Sequence, residues 1–231
     1  METVRPVARD RRVRGMDEKR DRIFESARRL IAEHGYDGVT TQQISEDADV
    51  GAGTLFRYAS NKGELLMMVF NREFEAAISE GERAAQAKPR TAAVWALVGP
   101  VLDFATRNPG NVAVYQRELL FGSPIAHFRA EGLALVRRWE DSVAAQLVGD
   151  AEPGAQQGAP RASAQLAARS IFAVLQLAIS SPLTPTVPEA ELRKQVDQII
   201  YGYTAGLDTA SASTSLTPGS TPPGARQEGA R

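Results

Sequence analysis

Four side chains that can donate hydrogen bonds lie close together between residues 54 and 62. Thr54, Arg57, Tyr58 and Lys62 are separated by steps of three, one and four, which are helical spacings. Hydroxyl, guanidinium and ammonium groups of this kind hold phosphate oxygens, and such contacts position a protein on a nucleic acid. We therefore expect these four residues to contact DNA.

The residues just before these donors are small. Gly51, Ala52 and Gly53 carry no long donor, so Ala52 could touch only the methyl group of a thymine. Gly53 would allow the backbone to approach base edges closely. The segment thus combines donors for phosphate with a small surface for the groove.

A helix should begin near Thr41 and precede this segment. Thr40 and Gln43 have the spacing of a capping box, in which each side chain satisfies a backbone N–H of the other residue. Ile44 and Ala48, four residues apart, give the helix one small apolar face.

A turn and a second short helix should follow. We expect Asp49-Val50-Gly51 to end the first helix, because Gly51 can take turn angles at no steric cost. The second helix should begin near Ala52, with Leu55 facing back toward the first. Two short helices joined in this way form a helix-turn-helix, which places its second helix in the major groove of DNA.

The longest helix of the N-terminal half should begin directly after this unit. Asn61 and Glu64 repeat the capping pattern, which predicts a helix start at Lys62. Helical apolar spacing then continues to about Ala87, before Pro89. Such a helix is long enough to leave a DNA-binding unit and enter a second bundle.

The run GAGTLFRYASNKGELL, from Gly51 to Leu66, resembles the DNA-binding signature of the TetR family of bacterial transcriptional regulators. The resemblance extends back to Ile23 and covers roughly residues 17–70. Ala59 stands where the family often has Phe, which thins the local packing.

The resemblance implies roles for individual residues. Thr41 and Gln42 would contact phosphate or a base, and Thr54, Tyr58 and Lys62 would contact phosphate. Arg57 resembles a variable contact position. These residues and Ala52 and Gly53 are the predicted DNA-binding residues: Thr41, Gln42, Ala52, Gly53, Thr54, Arg57, Tyr58 and Lys62.

The rest of the pattern is helical throughout, and predicts an all-α chain of about nine helices. A first helix should run from Asp17 to about His34, with Gly35 as a left-handed C-cap. The predicted organisation begins with a flexible basic arm (1–16) and a three-helix DNA-binding domain (17–63). A helical effector-binding and dimerisation domain (64–208) and a disordered tail (209–231) follow.

The bulk properties exclude several classes of protein. The chain has no cysteine and two histidines, and its formal net charge is −1. We therefore predict no catalytic residue, no metal site and no cofactor. The sequence also lacks a long uninterrupted apolar run and a secretory signal, so we expect a soluble, cytoplasmic protein without a membrane partner.

Several aromatic residues after position 90 could line an apolar ligand cavity, although core packing is the alternative reading for each. They are Trp95, Phe104, Tyr115, Phe121, Phe128 and Trp139. Family resemblance implies a pocket for a small-molecule effector.

The last two predicted helices carry more apolar surface than one bundle needs, which favours an interface between two copies; closure of the monomer core is the alternative. The resemblance implies a homodimer through residues 162–181 and 189–207. The predicted function is a repressor that a small hydrophobic or aromatic effector releases from a palindromic operator on double-stranded DNA. The alternative is a ligand-independent or architectural DNA-binding dimer.

Overall fold

Nine helices make up the secondary structure of the residues that the computed structural model describes, which are 6–149, 159–180 and 189–214. The all-α prediction is confirmed over these ranges. In chain order the helices are α1 (Pro6–His34), α2 (Thr41–Asp47), α3 (Ala52–Leu55), α4 (Lys62–Ala85), α5 (Arg90–Arg107), α6 (Pro109–Phe121), α7 (His127–Val148), α8 (Ala159–Ser180) and α9 (Glu189–Thr214).

The helix-turn-helix forms as the caps predict. The Thr40 side chain accepts from the backbone N–H of Gln43, and the Gln43 side chain accepts from the backbone N–H of Thr40 at 2.8 Å. Ile44, Ala48 and Leu55 are buried together in the core between these helices. The α2–α3 angle is therefore fixed by a small apolar contact.

The turn between α2 and α3 differs from the expectation in one respect. Gly51 has φ −67° and acts as the N-cap of α3, so it does not use the angles that favour glycine. Asp49 takes the left-handed conformation instead, with φ +50°. Asp tolerates this region better than most residues, and the Asp49 carboxylate meets the Arg22 guanidinium at 3.2 Å.

Two predicted boundaries were wrong. Helix α1 begins at Pro6 rather than Asp17, so most of the predicted arm is helical, and α9 continues through Thr214 into the predicted tail. Extending an existing helix needs no new nucleation, so a segment without an apolar face can still join one. Residues 1–5, 150–158, 181–188 and 215–231 lie outside the described residues.

Helix α4 links the helix-turn-helix to the C-terminal helices. It packs against α1 of the DNA-binding unit and against α5, α6 and α7. At Gly81 an added Cβ would lie 3.0 Å from the Cα of Leu97, so the small residue permits close packing of α4 on α5. Trp139 of α7 is fully buried, and its Nε1 donates to the Leu97 carbonyl at 3.0 Å.

Gly35→Ala tests the predicted left-handed C-cap, which is confirmed by a φ of +73°. The added Cβ has room but strains this conformation, so we expect a loss of about 1–2 kcal/mol in the free energy of unfolding. Urea denaturation followed by circular dichroism measures it. The control is Gly110→Ala in α6, where nothing lies within 4 Å and stability should be unchanged or rise by up to about 1 kcal/mol. An equal change in the free energy of unfolding for the two variants would contradict the left-handed conformation of Gly35.

Candidate DNA-binding surface and effector cavity

The predicted DNA-binding residues lie along α2, α3 and the start of α4. Gln42, Ala52, Gly53 and Arg57 are exposed. The remaining four are half-buried, and they are Thr41, Thr54, Tyr58 and Lys62. The structure thus places all eight on the helix-turn-helix or directly after it.

The small residues of α3 are not required by the protein's own packing. A Cβ built on Gly51 or Gly53 meets nothing within 4 Å, and neither residue has a positive φ. Ala52 is exposed beside them. Neither backbone strain nor crowding within the chain therefore explains these two glycines.

Two of the predicted phosphate donors already have partners within the chain. The Tyr58 hydroxyl donates to the Met16 carbonyl at 3.0 Å, and this contact holds α1 against the end of the helix-turn-helix. The Lys62 Nζ lies 4.2 Å from the centroid of the Tyr36 ring. Contact of either group with phosphate would add to these interactions or replace them.

An exposed aromatic side chain lies beside the donors. Phe56 is 48% exposed, whereas its neighbour Leu55 is fully buried. An apolar ring on this face can pack against the sugars of a bound duplex. Its exposure shows that the Phe56 ring does not close the small core of this unit.

A buried polar pair joins α4 to the first turn of α7. The Asn71 amide donates to the Phe128 carbonyl at 2.8 Å, and the Glu64 carboxylate accepts from the Phe128 N–H at 3.4 Å. The second oxygen of Glu64 accepts from the Ser60 N–H at 3.2 Å. One carboxylate therefore contacts both the end of the helix-turn-helix and the start of α7.

Tyr115 of α6 belongs to the same hydrogen-bonded group. Its hydroxyl donates to Asn71 Oδ1 at 2.9 Å. Burial raises the pKa of Tyr115 well above its ordinary value, and the charge of Glu131 adds to this. The hydroxyl therefore remains a proton donor across the physiological pH range.

A small cavity lies against this group. Its volume is about 30 Å³, which is about the share of one water molecule in the liquid. It lies between α4, α5, α6 and α8, and its lining residues are Phe74, Val101, Phe104, Ala105, Val112, Tyr115, Gln116, Leu119, Phe172, Leu175, Gln176 and Ile179. All are uncharged, and the Gln116 Nε2 donates to the Gln176 Oε1 at one side.

The structure divides the six predicted aromatic residues. Phe104 and Tyr115 line the cavity. Phe128 and Trp139 are buried elsewhere in the core, in accord with the packing alternative. Among the lining residues that the sequence did not single out, Phe74, Phe172 and Leu175 follow the same helical apolar spacing as core residues, so no local signal marks them.

The other two predicted aromatic residues lie away from the cavity as well. Trp95 donates to the Asp197 carboxylate at 2.8 Å and stacks under the Arg193 guanidinium. Phe121 is 82% exposed at the end of α6. Tertiary packing, rather than residue type, thus decides which aromatic side chains meet the cavity.

Helices α8 and α9 present large apolar side chains to the outside of the monomer. Leu166, Leu177 and Tyr201 are 68%, 71% and 73% exposed. Arg161–Ile179 also has the length and apolar composition of a possible membrane span, and only 28% of that stretch is buried. The core helix of a soluble protein passes the same test of length and composition.

A helix-turn-helix followed by a separate helical bundle defines the class of protein, a DNA-binding transcriptional regulator rather than an enzyme. Residues 23–68 match the family model for bacterial regulatory proteins of the tetR family. The chain is 32% identical over 142 residues to the HTH-type transcriptional repressor KstR of Mycolicibacterium smegmatis, an alignment that covers 61% of this chain and 68% of that protein. The chain belongs to the TetR family.

Solved structures of similar fold support the architecture. FadR of Thermus thermophilus, a TetR family repressor in complex with lauroyl-CoA, has a TM-score of 0.61 at 20% identity and covers 89% of this chain and 100% of its own. FadR of Bacillus subtilis, in complex with stearoyl-CoA, has a TM-score of 0.53 at 18% identity and covers 80% and 97%. At such identities the likeness concerns the fold.

Tyr115→Phe tests the hydrogen bond between α6 and α4. The variant keeps the ring but leaves Asn71 Oδ1 buried without this donor, so we expect the free energy of unfolding to fall by about 1–3 kcal/mol. Chemical denaturation measures the change. Tyr201→Phe, at an exposed position, is the control and should change stability by less than about 0.5 kcal/mol. A Tyr115 variant as stable as the parent would show that the bond contributes nothing.

Proposed function

We propose that this regulator is a repressor that binds a palindromic operator as a homodimer and is released by a small hydrophobic or aromatic effector. One observation carries the DNA-reading part of the proposal. The N-cap Gly51 and Gly53 in α3 are exposed glycines that neither packing nor backbone geometry requires. A surface kept free of side chains beside hydrogen-bond donors suits close contact with a duplex.

The proposal gives each predicted residue a role on DNA. Ala52 and Gly53 face base edges, Arg57 is a variable contact beside them, and Thr54 contacts phosphate. Tyr58 and Lys62 contact phosphate, and the N-terminus of α2 presents Thr41 and Gln42 to the backbone or a base, where the helix dipole favours an anion. The DNA-binding domain would comprise 17–63, and 64–208 the effector-binding and dimerisation domain.

The exposed apolar surface of α8 and α9 supports the dimer. Leu166, Leu177 and Tyr201 would be covered by the same helices of a second copy, which gives a two-fold interface. Two recognition helices would then reach successive major grooves, as a palindromic operator requires. This arrangement places α8 against protein rather than lipid, in keeping with a regulator that acts in the bacterial cytoplasm.

The uncharged lining of the cavity supports an apolar effector. Both FadR structures hold acyl-CoA thioesters, so an acyl chain is the first ligand class to test. The effector would bind more tightly to a dimer arrangement in which the spacing of the recognition helices does not match successive major grooves. Because it would stabilise that arrangement, it would lower the affinity for the operator.

The cavity volume favours a second candidate function. A space of about 30 Å³ holds no effector without rearrangement of the surrounding side chains. A dimer that binds DNA independently of any ligand fits a cavity of this size. The two candidates share the DNA-binding surface and differ only in the response to ligand.

Selection from a random duplex library tests the DNA-binding proposal. We expect the full-length protein to enrich a palindromic sequence, since a two-fold dimer presents the same surface to both half-sites. Fluorescence anisotropy across a salt series then gives the affinity, with random duplex as competitor. Failure to enrich any sequence would refute sequence-specific recognition, and a sequence without symmetry would refute the palindromic site.

Gly53→Ala provides the matched variant for this experiment. The added methyl group meets nothing in the protein, so stability should be kept, whereas affinity for the selected duplex should fall about 10-fold or more, equivalent to about 1.4 kcal/mol. Gly110→Ala, far along the chain on an exposed turn of α6, should bind DNA as the parent does. Unchanged affinity of the Gly53 variant would exclude close approach at this residue.

A ligand panel tests the effector. Lauroyl-CoA, stearoyl-CoA and a polycyclic aromatic hydrocarbon are compared with CoA alone in thermal unfolding and in release of the selected duplex. A ligand at about 100 times its Kd stabilises the folded protein by about 2.7 kcal/mol. We expect at least one apolar probe to raise Tm and to release DNA, and CoA alone to do neither.

Ala105→Leu locates the binding site of an active probe. The larger side chain fills the cavity that Ala105 lines, at a cost of about 1–3 kcal/mol in stability. We expect it to abolish the ligand response while operator affinity is retained. A response that survives in this variant would place the effector elsewhere, and no response of the parent to any probe would favour the ligand-independent dimer.

A further inference from the structure

One side chain of α6 reaches across to the end of α1. Asn111 is only 3% exposed. Its Oδ1 accepts from the Tyr36 N–H at 2.7 Å, and its Nδ2 donates to the Ile31 carbonyl at 3.1 Å. Both the oxygen and the nitrogen of the side-chain amide are therefore hydrogen-bonded to the backbone of the DNA-binding unit.

These backbone groups lie at the C-terminal end of α1. The last carbonyls of a helix have no partner within it, and Ile31 lies in the last turn of α1, where Gly35 N–H also donates to its carbonyl at 3.0 Å. Tyr36 follows the left-handed Gly35. A residue of the bundle thus completes the C-cap of a helix in the DNA-binding unit.

The same helix lines the cavity. Val112, Tyr115 and Leu119 of α6 face it, and Tyr115, one turn after Asn111, bonds to Asn71 of α4. A displacement of α6 that enlarges the cavity would therefore change the hydrogen bonds of both Asn111 and Tyr115. Packed helices and hydrogen bonds of this kind have discrete rather than continuous arrangements.

We propose that Asn111 is a positioning residue that fixes the DNA-binding unit against α6 and so sets the spacing of the two recognition helices in the dimer. The inference rests on the proposed function. A dimer gains affinity from its second half-site only if the geometry allows both to be engaged. Loss of the Asn111 contacts should therefore reduce the affinity gained from the second half-site. It should have a smaller effect on the affinity of one recognition helix for one half-site.

Asn111→Leu and Asn111→Ala test this with the full chain and the duplex selected above. Each variant is measured on the full operator and on a duplex with one half-site scrambled. We expect affinity for the full operator to fall about 10-fold or more, while affinity for the single half-site stays within about 2-fold. Two variants of different size protect the test against a local packing defect.

Trp139→Phe is the matched control. It removes a buried hydrogen bond between α7 and α5 and lowers stability without touching the DNA-binding unit, so both affinities should match the parent. If a folded Asn111 variant binds the full operator as tightly as the parent protein does, the inference is overturned and the proposed function is not affected. An equal loss on both duplexes would also overturn the inference, because that result indicates general destabilisation. Absence of any selected operator would instead refute the proposed function.

Discussion

The structure depends on how α4 is held at the point where two units of the chain meet. Asn71 and Glu64 bind the carbonyl and the N–H of Phe128, and both side chains are buried. A buried polar group without its partner costs free energy comparable to a lost hydrogen bond. The position of α4 on α7 is therefore specified by polar groups with directional bonds, where apolar packing alone would tolerate sliding.

The DNA-binding unit, in contrast, is held by a small apolar core and by caps. Ile44, Ala48 and Leu55 fix the angle between two helices of seven and four residues. Helices this short are not stable alone, so the orientation of α3 depends on that contact and on the rigid α4 that follows.

Helix α6 is placed where the cavity and the DNA-binding unit can influence each other. One of its faces lines the small apolar cavity, and Asn111 and Tyr115 bond to α1 and α4. An effector can shift an equilibrium only by its difference in affinity between two states. Under the proposed function, an apolar ligand that enters this cavity would favour a state in which α6, α8 or their side chains have moved.

The sequence by itself determined the features that depend on neighbours a few residues apart: the Thr40 capping box, the Asn61 cap, the left-handed Gly35 and the family signature. It missed how far α1 and α9 extend, since elongation of a helix leaves no distinct residue pattern. Only the tertiary structure decided which aromatic residues meet the cavity and what Asn111 does. Asn111 and Ile31 are 80 positions apart, and Asn71 and Phe128 are 57 apart. Helical apolar spacing marks a residue as buried but does not identify its partner, because every core helix shows the same period.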